Sequence, residues 1–489
     1  MTSTATEPQS DADVASQASP SEQSASSPVH RDAPLDQAGT DDSAGASLGP
    51  SAGPSARPSV GQGTDRARAA TLHCLGQVLR KRRAFDEVLA QESADGVLAG
   101  LDVRDRAFTR AVTATTLRRL GQIDAILEQF LDHPLPKDGA GVHDLLRIGA
   151  AQILFMDVPN HAAVDESVSL TPVDRFKGLV NAVLRRVAHD GAALERTQDA
   201  ARINTPDWLW ASWENAYGLS AARAIGEQHL EEPPLDLWVP RNREAWSRRL
   251  QATELPIGTL RRPLADVRHL MGFTHGAWWV QDAAASLPVR LLRPVPGQPV
   301  VDLCAAPGGK TMQLAAMGAE VFAVDRSANR LKRIQENLDR VHLPARLVEM
   351  DATTWIPETP VHRILLDAPC TATGTIRRHP DIPHLKTPGD VEKLTALQDR
   401  LLGHALDHLA PGGLLVFCTC SLQPEEGPER IEPLLASRAD VERVPIDAEE
   451  IDGFEEAVTR DGDLRTLPCI WPDLGGMDGF FAARLRKKS

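Results

Sequence analysis

No run in this 489-residue chain approaches the roughly 18 consecutive apolar residues needed to cross a bilayer, so a membrane-spanning helix is not expected. The amino-terminal segment has neither a basic opening nor an apolar stretch, which excludes a secretory signal there. Cysteine is scarce, with six residues. Without an export signal they are expected to be reduced thiols in a cytoplasm rather than a disulfide framework. Positive charge is also short: the net charge is −14, of which −6 falls in the first 64 residues. A global positive field for nucleic acid is excluded, and an RNA partner would have to meet a local basic surface. Otherwise, with 42% hydrophobic and 25% charged residues and length enough for two or three domains, the chain has the balance of a soluble globular protein.

Residues 1–64 are Ser, Ala, Pro, Gly, Asp and Gln without aromatics, and cannot bury enough apolar surface to offset their ordering entropy; a disordered acidic tail is expected. From 65 to 199 apolar residues recur at three- and four-residue spacing, in Ala69–Leu79, Phe108–Leu117, Ile123–Leu131, Val142–Met156 and Leu179–Val187. Pro134, Pro136 and Pro159 punctuate these stretches, and the whole reads as an all-α domain. Its arginines (Arg104, Arg106, Arg110, Arg118, Arg119, Arg185 and Arg186) form either a solvated face or a phosphate-contacting stripe. Residues 200–292 hold seven of the nine tryptophans and read as a small α+β connector, the tryptophans as core rather than base-stacking platforms.

From 293 to 489 strand and helix patterns alternate. Candidate strands are Val300–Leu303, Glu320–Val324, Ala345–Glu349, Arg363–Leu366 and Gly413–Cys418, with helical patterns at Ala328–Val341 and Val391–Leu409. Such alternation predicts a doubly wound, mostly parallel sheet, whose ligands bind beyond the carboxyl ends of the strands. The chemistry-bearing residues fall at those ends. Asp302-Leu303-Cys304-Ala305-Ala306-Pro307-Gly308-Gly309-Lys310-Thr311 lacks the first glycine of a nucleotide-triphosphate loop, where Cys304 stands, and has no GxGxxG spacing. What remains is a small-residue turn into a helix start, whose amides and dipole favour a carboxylate. A carboxylate-bearing nucleoside cofactor fits, S-adenosylmethionine. Asp325 could accept from its ribose hydroxyls and Asp351 could reach its adenine edge.

Two cysteine-bearing segments about fifty residues apart carry the reaction: Leu366-Asp367-Ala368-Pro369-Cys370-Thr371 and Phe417-Cys418-Thr419-Cys420-Ser421. Methylases acting on exocyclic amines have an aromatic residue where Cys370 stands. Carbon 5 of a pyrimidine, by contrast, is a poor nucleophile and needs a thiolate at carbon 6 to become an enamine. A Pro-Cys nucleophile would nominate Cys370, and the spacing alone does not choose between it and Cys420. Cys418 reads as core. A zinc site is not expected, because a C-x-C pair without matched ligands is not a structural-zinc spacing.

The chain resembles the RsmB/Sun-type ribosomal RNA (cytosine-5)-methyltransferases over about residues 65–488. The pieces that carry the resemblance are Gln281-Asp282-Ala283-Ala284-Ala285-Ser286, the loop Cys304–Thr311, Leu366–Asp381 with Thr373-Gly374-Thr375-Ile376-Arg377-Arg378-His379-Pro380-Asp381, Thr419-Cys420-Ser421, Pro424-Glu425-Glu426 and Met477-Asp478-Gly479-Phe480-Phe481. In the helical segment Arg104-Asp105-Arg106, Leu145–Ala150 and Asn181–Arg186 are similar to the NusB-type RNA-binding domain. The resemblance implies a Rossmann-like class I methyltransferase sheet preceded by that helical domain and the connector. It further implies that Cys420 is the attacking thiol, that Cys370 assists product release, and that Cys304, Ala305, Ala306, Pro307, Gly308, Gly309, Lys310, Asp325, Asp351 and Asp367 line the S-adenosylmethionine site, with Asp367 also near the cytosine. The departures are Cys418, where Ser or Ala is usual, the acidic tail and the net negative charge. Asp367 is expected to donate to cytosine N3. The substrate class implied is 16S rRNA, met in a single-stranded region or loop by a cytoplasmic monomer without metal. The same chemistry on tRNA or another RNA, or a NusB-like assembly factor with an inactive methylase domain, are the alternatives.

Overall fold

The computed structural model describes residues 61–136 and 139–489. The expected disordered tail lies outside the described residues, except for its last four positions, which open the first helix.

Helices α1 (Gly61–Leu79), α2 (Phe85–Ala94), α3 (Val103–Arg118), α4 (Leu120–Glu128), α5 (Ala140–Phe155), α6 (Asn160–Ser169) and α7 (Lys177–Glu195) build the amino-terminal part. The spacing that predicted them turns one face of each inward. Ile123, Ile126, Leu127, Val142, Leu146, Val180 and Leu184 make one core, and Cys74, Leu75, Val78, Phe85, Val88 and Val112 a second. Helices α2 and α6 escaped the periodicity: each is ten residues long and buries three. Capping sets the entry of α3, where Asp102 accepts from the Asp105 N–H at 2.8 Å.

The region read as a connector is more helical at its start than expected. Helices α8 (Ala200–Ile203), α9 (Asp207–Tyr217) and α10 (Leu219–His229) precede a four-stranded antiparallel sheet. Its strands are β1 (Leu235–Trp238), β2 (Thr253–Glu254), β3 (Leu260–Arg262) and β4 (Trp279–Val280), in the order β2-β3-β1-β4, with α11 (Arg243–Leu250) between β1 and β2. Trp213, Trp278 and Trp279 are among the largest fully buried side chains, so the tryptophans do pack as core. Arg261 and Asp236, both buried, join β3 to β1 at 2.6 Å and 2.7 Å.

Residues 287–489 form the main sheet. Its strands are β5 (Pro299–Leu303), β6 (Glu320–Asp325), β7 (Arg346–Glu349), β8 (Val361–Asp367), β9 (Leu409–Thr419), β10 (Val441–Arg443), β11 (Leu464–Thr466) and β12 (Phe480–Lys487). They run in the order β10-β12-β9-β8-β5-β6-β7, with β11 paired to β12. Pairings among β5 to β9 are parallel and those of β12 antiparallel. Helices α12 (Leu287–Leu291), α13 (Gly309–Ala316), α14 (Ala328–Val341), α15 (Ile382–Leu385), α16 (Pro388–Asp407) and α17 (Pro428–Ser437) complete the chain order. The five expected strands are present with edges moved by up to four residues; β10 to β12 were not expected. In β12 the apolar run Phe480-Phe481-Ala482-Ala483 is broken by Arg484, which disguises a strand buried on both faces. That arginine is fully buried and satisfied by Glu450 at 2.8 Å and by the carbonyls of Leu291 and Pro445.

The helical part grips the loop after β8. Arg82 donates to the Leu385 carbonyl at 2.6 Å, the Phe85 N–H to Asp381 at 2.9 Å, Arg118 to the Arg377 carbonyl at 3.0 Å, and His384 bonds the Leu117 carbonyl at 2.9 Å. Replacing Asp236 by Ala would leave the buried Arg261 cation without its carboxylate and orphan the Ala283 N–H, which donates to Asp236 at 3.0 Å. Chemical denaturation of Asp236→Ala is expected to show a loss of about 3–5 kcal/mol, whereas substitution of the exposed Arg248 should cost little.

Candidate active site

The sheet order turns back between β5 and β8: the chain leaves β5 toward β6 and β7 on one side and returns to β8 and β9 on the other. A crevice opens at the carboxyl ends of strands at such a reversal. Every residue nominated from the sequence stands at this edge or in a loop leaving it. Cys304 follows β5, Asp325 ends β6, Asp351 follows β7, Asp367 ends β8 and Cys420 follows β9.

The loop after β5 has two left-handed positions, Cys304 at φ 62° and Gly308 at φ 100°. The second needs glycine, and it turns the chain into α13, whose first turn has no side-chain cap. Free amides at a helix start, backed by the dipole, suit a carboxylate. Asp325 is buried and accepts from the Ser327 N–H at 3.0 Å and the Ala306 N–H at 3.3 Å, while Arg330 lies 3.3 Å away. Asp351 is exposed; its Oδ1 accepts from the Thr353 N–H and hydroxyl at 2.8 Å and 2.7 Å, which leaves Oδ2 to a ligand. An uncapped helix start, a ribose-height carboxylate and a carboxylate after β7 are the donor and acceptor set that S-adenosylmethionine requires, and the residues fit it.

Beside this loop, Lys310 Nζ donates to Asp367 Oδ2 at 2.8 Å, and Cys418 Sγ approaches Asp367 Oδ1 at 3.6 Å. Burial opposes the Lys310 charge, but the Asp367 carboxylate, together with Cys418 and Cys420, holds its pKa above the ordinary lysine value. Cys418 is fully buried, as read from the sequence, and it also serves as a donor to Asp367.

Parallel pairing of β8 with β9 puts Asp367 opposite Cys418. The two chains then leave the sheet together, and Cys370 Sγ comes within 3.5 Å of Cys420 Sγ although the residues are 50 positions apart. The four thiols of this region are not equivalent. Burial, then the Asp367, Asp325 and Asp302 charges, push Cys304 up to about 12, and burial raises Cys418 well above its ordinary value. Cys370 is raised by its hydrogen bond to Cys420 and by burial. Cys420 is among the groups that raise the pKa of Lys310 and of Arg378, behind Asp367 and Asp478 respectively. Spacing could not choose between these thiols, and in their contact either sulfur can be the donor.

Three groups received no role from the sequence. Arg378 shares Asp478 with Arg377, Nε to Oδ2 at 2.9 Å, and Arg377 also pairs with Asp282. The place of Arg378 within Arg377-Arg378-His379-Pro380-Asp381 was the available signal. Asp302 lies in β5, fully buried; Thr311 donates to its Oδ2 at 2.6 Å and its Oδ1 has no protein partner. Glu426 lies beneath both cysteine loops. Among the described residues no cluster of His, Cys, Asp and Glu could hold a metal, and no helix is long and apolar enough to cross a membrane.

Comparisons with known proteins agree on what this geometry is. The family model for the 16S rRNA methyltransferase RsmB/F matches residues 289–486, and that for the NusB family residues 65–189. A ribosomal RNA small subunit methyltransferase B of Pseudomonas putida is 37% identical over 446 residues, spanning 86% of this chain and 98% of its own. Its counterpart in Cronobacter sakazakii is 35% identical over 442 residues, with the same coverage of both chains. Among solved structures, PH0851 superposes with a TM-score of 0.67 at 21% identity, covering 86% of this chain and 99% of its own. NSun6 from Pyrococcus horikoshii with SFG reaches 0.50 at 21% identity, covering 58% of this chain and 98% of its own; both likenesses concern the fold. Fold and site together define an S-adenosylmethionine-dependent RNA cytosine-5 methyltransferase. This chain belongs to the RsmB/F family of 16S rRNA methyltransferases and carries the NusB domain at its amino-terminal side.

Burial, opposed by the Thr311 hydroxyl and reinforced by the Asp367 charge, raises Asp302 to about 7. An unfolded aspartate titrates near 3.9, so between about pH 4 and pH 7 the folded chain binds the extra proton. Its contribution to stability is thus present at low pH and lost as pH rises through about 7. Asp302→Asn keeps the acceptor for Thr311 and removes the titration. In thermal melts of ligand-free protein, the variant is expected to gain on the parent between pH 5 and pH 8; a constant difference would remove Asp302 from this account.

Proposed function

We propose that the chain methylates carbon 5 of a cytosine in 16S rRNA, with Cys420 as nucleophile, Cys370 as the thiol that assists release and Asp367 as the group that contacts the base. The observation that carries this is the thiol pair at 3.5 Å where β8 and β9 end, next to the Lys310–Asp367 ion pair at 2.8 Å. The relatives named ribosomal RNA small subunit methyltransferase B support the choice of RNA.

Cys420 gives up its proton to solvent and its Sγ adds to carbon 6 of the cytosine. Asp367, supplied from the Lys310 ammonium at 2.8 Å, gives a proton to N3, so the electrons of the ring double bond gather at carbon 5 as an enamine. Bound S-adenosylmethionine, held by Cys304 to Lys310, Asp325 and Asp351, supplies the methyl carbon and keeps the electron pair of its methyl–sulfur bond. The proton on carbon 5 then leaves to solvent, the ring double bond re-forms, the bond from carbon 6 to Cys420 breaks with its electrons on sulfur, and N3 returns its proton to Asp367. The S–H of Cys370 donates to the sulfur as it departs, which makes it a better leaving group. A base inside a helix cannot reach the edge of this sheet, so the target is single-stranded or extruded. The enzyme works as a cytoplasmic monomer and uses no metal in this scheme.

Fluorine at carbon 5 cannot leave as a proton does, so 16S rRNA transcribed with 5-fluorocytidine should trap the adduct as a denaturation-resistant protein–RNA band. The band is expected to vanish in Cys420→Ala and persist in Cys370→Ala. The reverse pattern would exchange the roles of the two thiols. Absence of the band in every form, with cofactor binding shown, would move the substrate to tRNA or assembled subunits, or end the catalytic reading.

A further inference from the structure

The two cysteine loops meet over one buried carboxylate. Glu426 has no measurable exposure, and burial, only partly offset by its hydrogen bonds, raises its pKa. From the loop after β8 it receives the Thr371 N–H, at 2.9 Å to Oε1 and 3.2 Å to Oε2, and the Thr371 hydroxyl. From the loop after β9 it receives the Ser421 hydroxyl at 2.6 Å. Gln398 of α16 donates to it at 3.3 Å and to the Pro369 carbonyl at 2.9 Å. Thr371 and Ser421 are the residues that directly follow Cys370 and Cys420, so one side chain holds the position after each thiol. The lattice extends outward: Ser421 Oγ lies 3.2 Å from Thr373 Oγ1 and accepts from the Gln423 N–H at 3.1 Å, and the Thr419 hydroxyl donates to the Glu426 carbonyl at 2.9 Å.

A buried carboxylate that ended in a structural role alone would be an expensive device, since a hydrophobic filler would avoid its desolvation. What it supplies is a side-chain tie at the residue after each thiol, where the two strand-end loops otherwise share only the backbone bonds from the Ala368 N–H to the Cys418 carbonyl at 2.9 Å and from the Gly374 N–H to the Cys420 carbonyl at 3.0 Å. We infer that Glu426 is a positioning residue for catalysis: it sets the spacing of the Cys370 and Cys420 thiols, on which the release half of the reaction depends. The inference rests on the roles proposed above for those two thiols. Attack by Cys420 needs one thiol and the base, whereas expulsion of Cys420 also needs the Cys370 S–H aligned on its sulfur. Loosening the clamp therefore slows release more than attack.

Glu426→Gln keeps shape but turns one acceptor into a donor facing donors. A misplacement of about 1 Å in a reacting pair costs on the order of 10²-fold in rate. The full-length variant is expected to lose at least about tenfold in kcat, with KM for RNA and for S-adenosylmethionine held within about twofold. A covalent adduct with ordinary, non-fluorinated RNA should build up on denaturing gels. A kcat within twofold of the parent overturns the inference. So does a loss shared between kcat and both KM values without adduct, which is what mere damage to the fold would give. If the glutamine variant does not fold, Ser421→Ala removes one of the clamp's donors and should show the same split at smaller size; a parental rate there overturns the inference too. The 5-fluorocytidine trap run on the parent separates the two layers. A parent that traps through Cys420 beside an unaffected Glu426→Gln sinks the clamp alone, and a parent that traps nothing sinks the thiol assignment and the clamp with it.

Discussion

The pairing of β8 with β9 is the constraint from which this site follows. Hydrogen bonds between parallel strands fix register to a single residue, and a slip of one would turn every side chain to the opposite face. With Asp367 opposite Cys418, the next turns of both chains start level, and Cys370 and Cys420 arrive at the same height above the sheet. Asp367 and the thiols hang from this pair and the glycine loop from β5 beside it, so the site is a property of the sheet edge rather than of any one loop.

Around that edge the protein spends much of its buried charge. Asp282, Arg377, Arg378 and Asp478 form a closed set of alternating charges, with Arg377 also donating to the Gly475 carbonyl at 3.0 Å. The set joins the end of β4, the loop after β8 and the turn before β12. The helical part presses on the same loop from the other side through Arg82, Phe85, Arg118 and Leu117. A loop so held cannot drift, and Gly374 shows how tightly. A side chain there would meet the Gly479 carbonyl at 1.9 Å, while its own N–H donates to the Cys420 carbonyl at 3.0 Å. The NusB domain is thus mechanically continuous with the catalytic loops.

Much of this was legible in the chain. Runs of four to six residues announced β5 to β9, and the strand ends and short loops after them named Cys304, Asp325, Asp351, Asp367 and Cys420. Spacing could not show what depends on contact between distant segments. The 3.5 Å approach of Cys370 to Cys420 is set by register, not sequence distance. Arg484 hid β12 because a buried charge breaks the apolar pattern that marks a central strand. Glu426 entered only as part of Pro424-Glu425-Glu426, without a role; its burial beneath Thr371 and Ser421 is what sets it apart. The first helices of the connector were masked for a different reason, since tryptophan-rich stretches carry no clear period.

The antiparallel strand β12 lies inside the sheet, between β9 and β10, and Asp478 just before it anchors both arginines of the loop after β8. Yet β12 is the last strand of the sheet to be made. While a ribosome is still translating residues before 480, β9 has an open edge, Arg377 and Arg378 lack their shared carboxylate, and the Gly374 turn has nothing to close against. The loop after β8 gains its Asp478 anchor only once this late segment has emerged. A nascent chain therefore carries the loop after β5 long before the loop after β8 has all of its anchors.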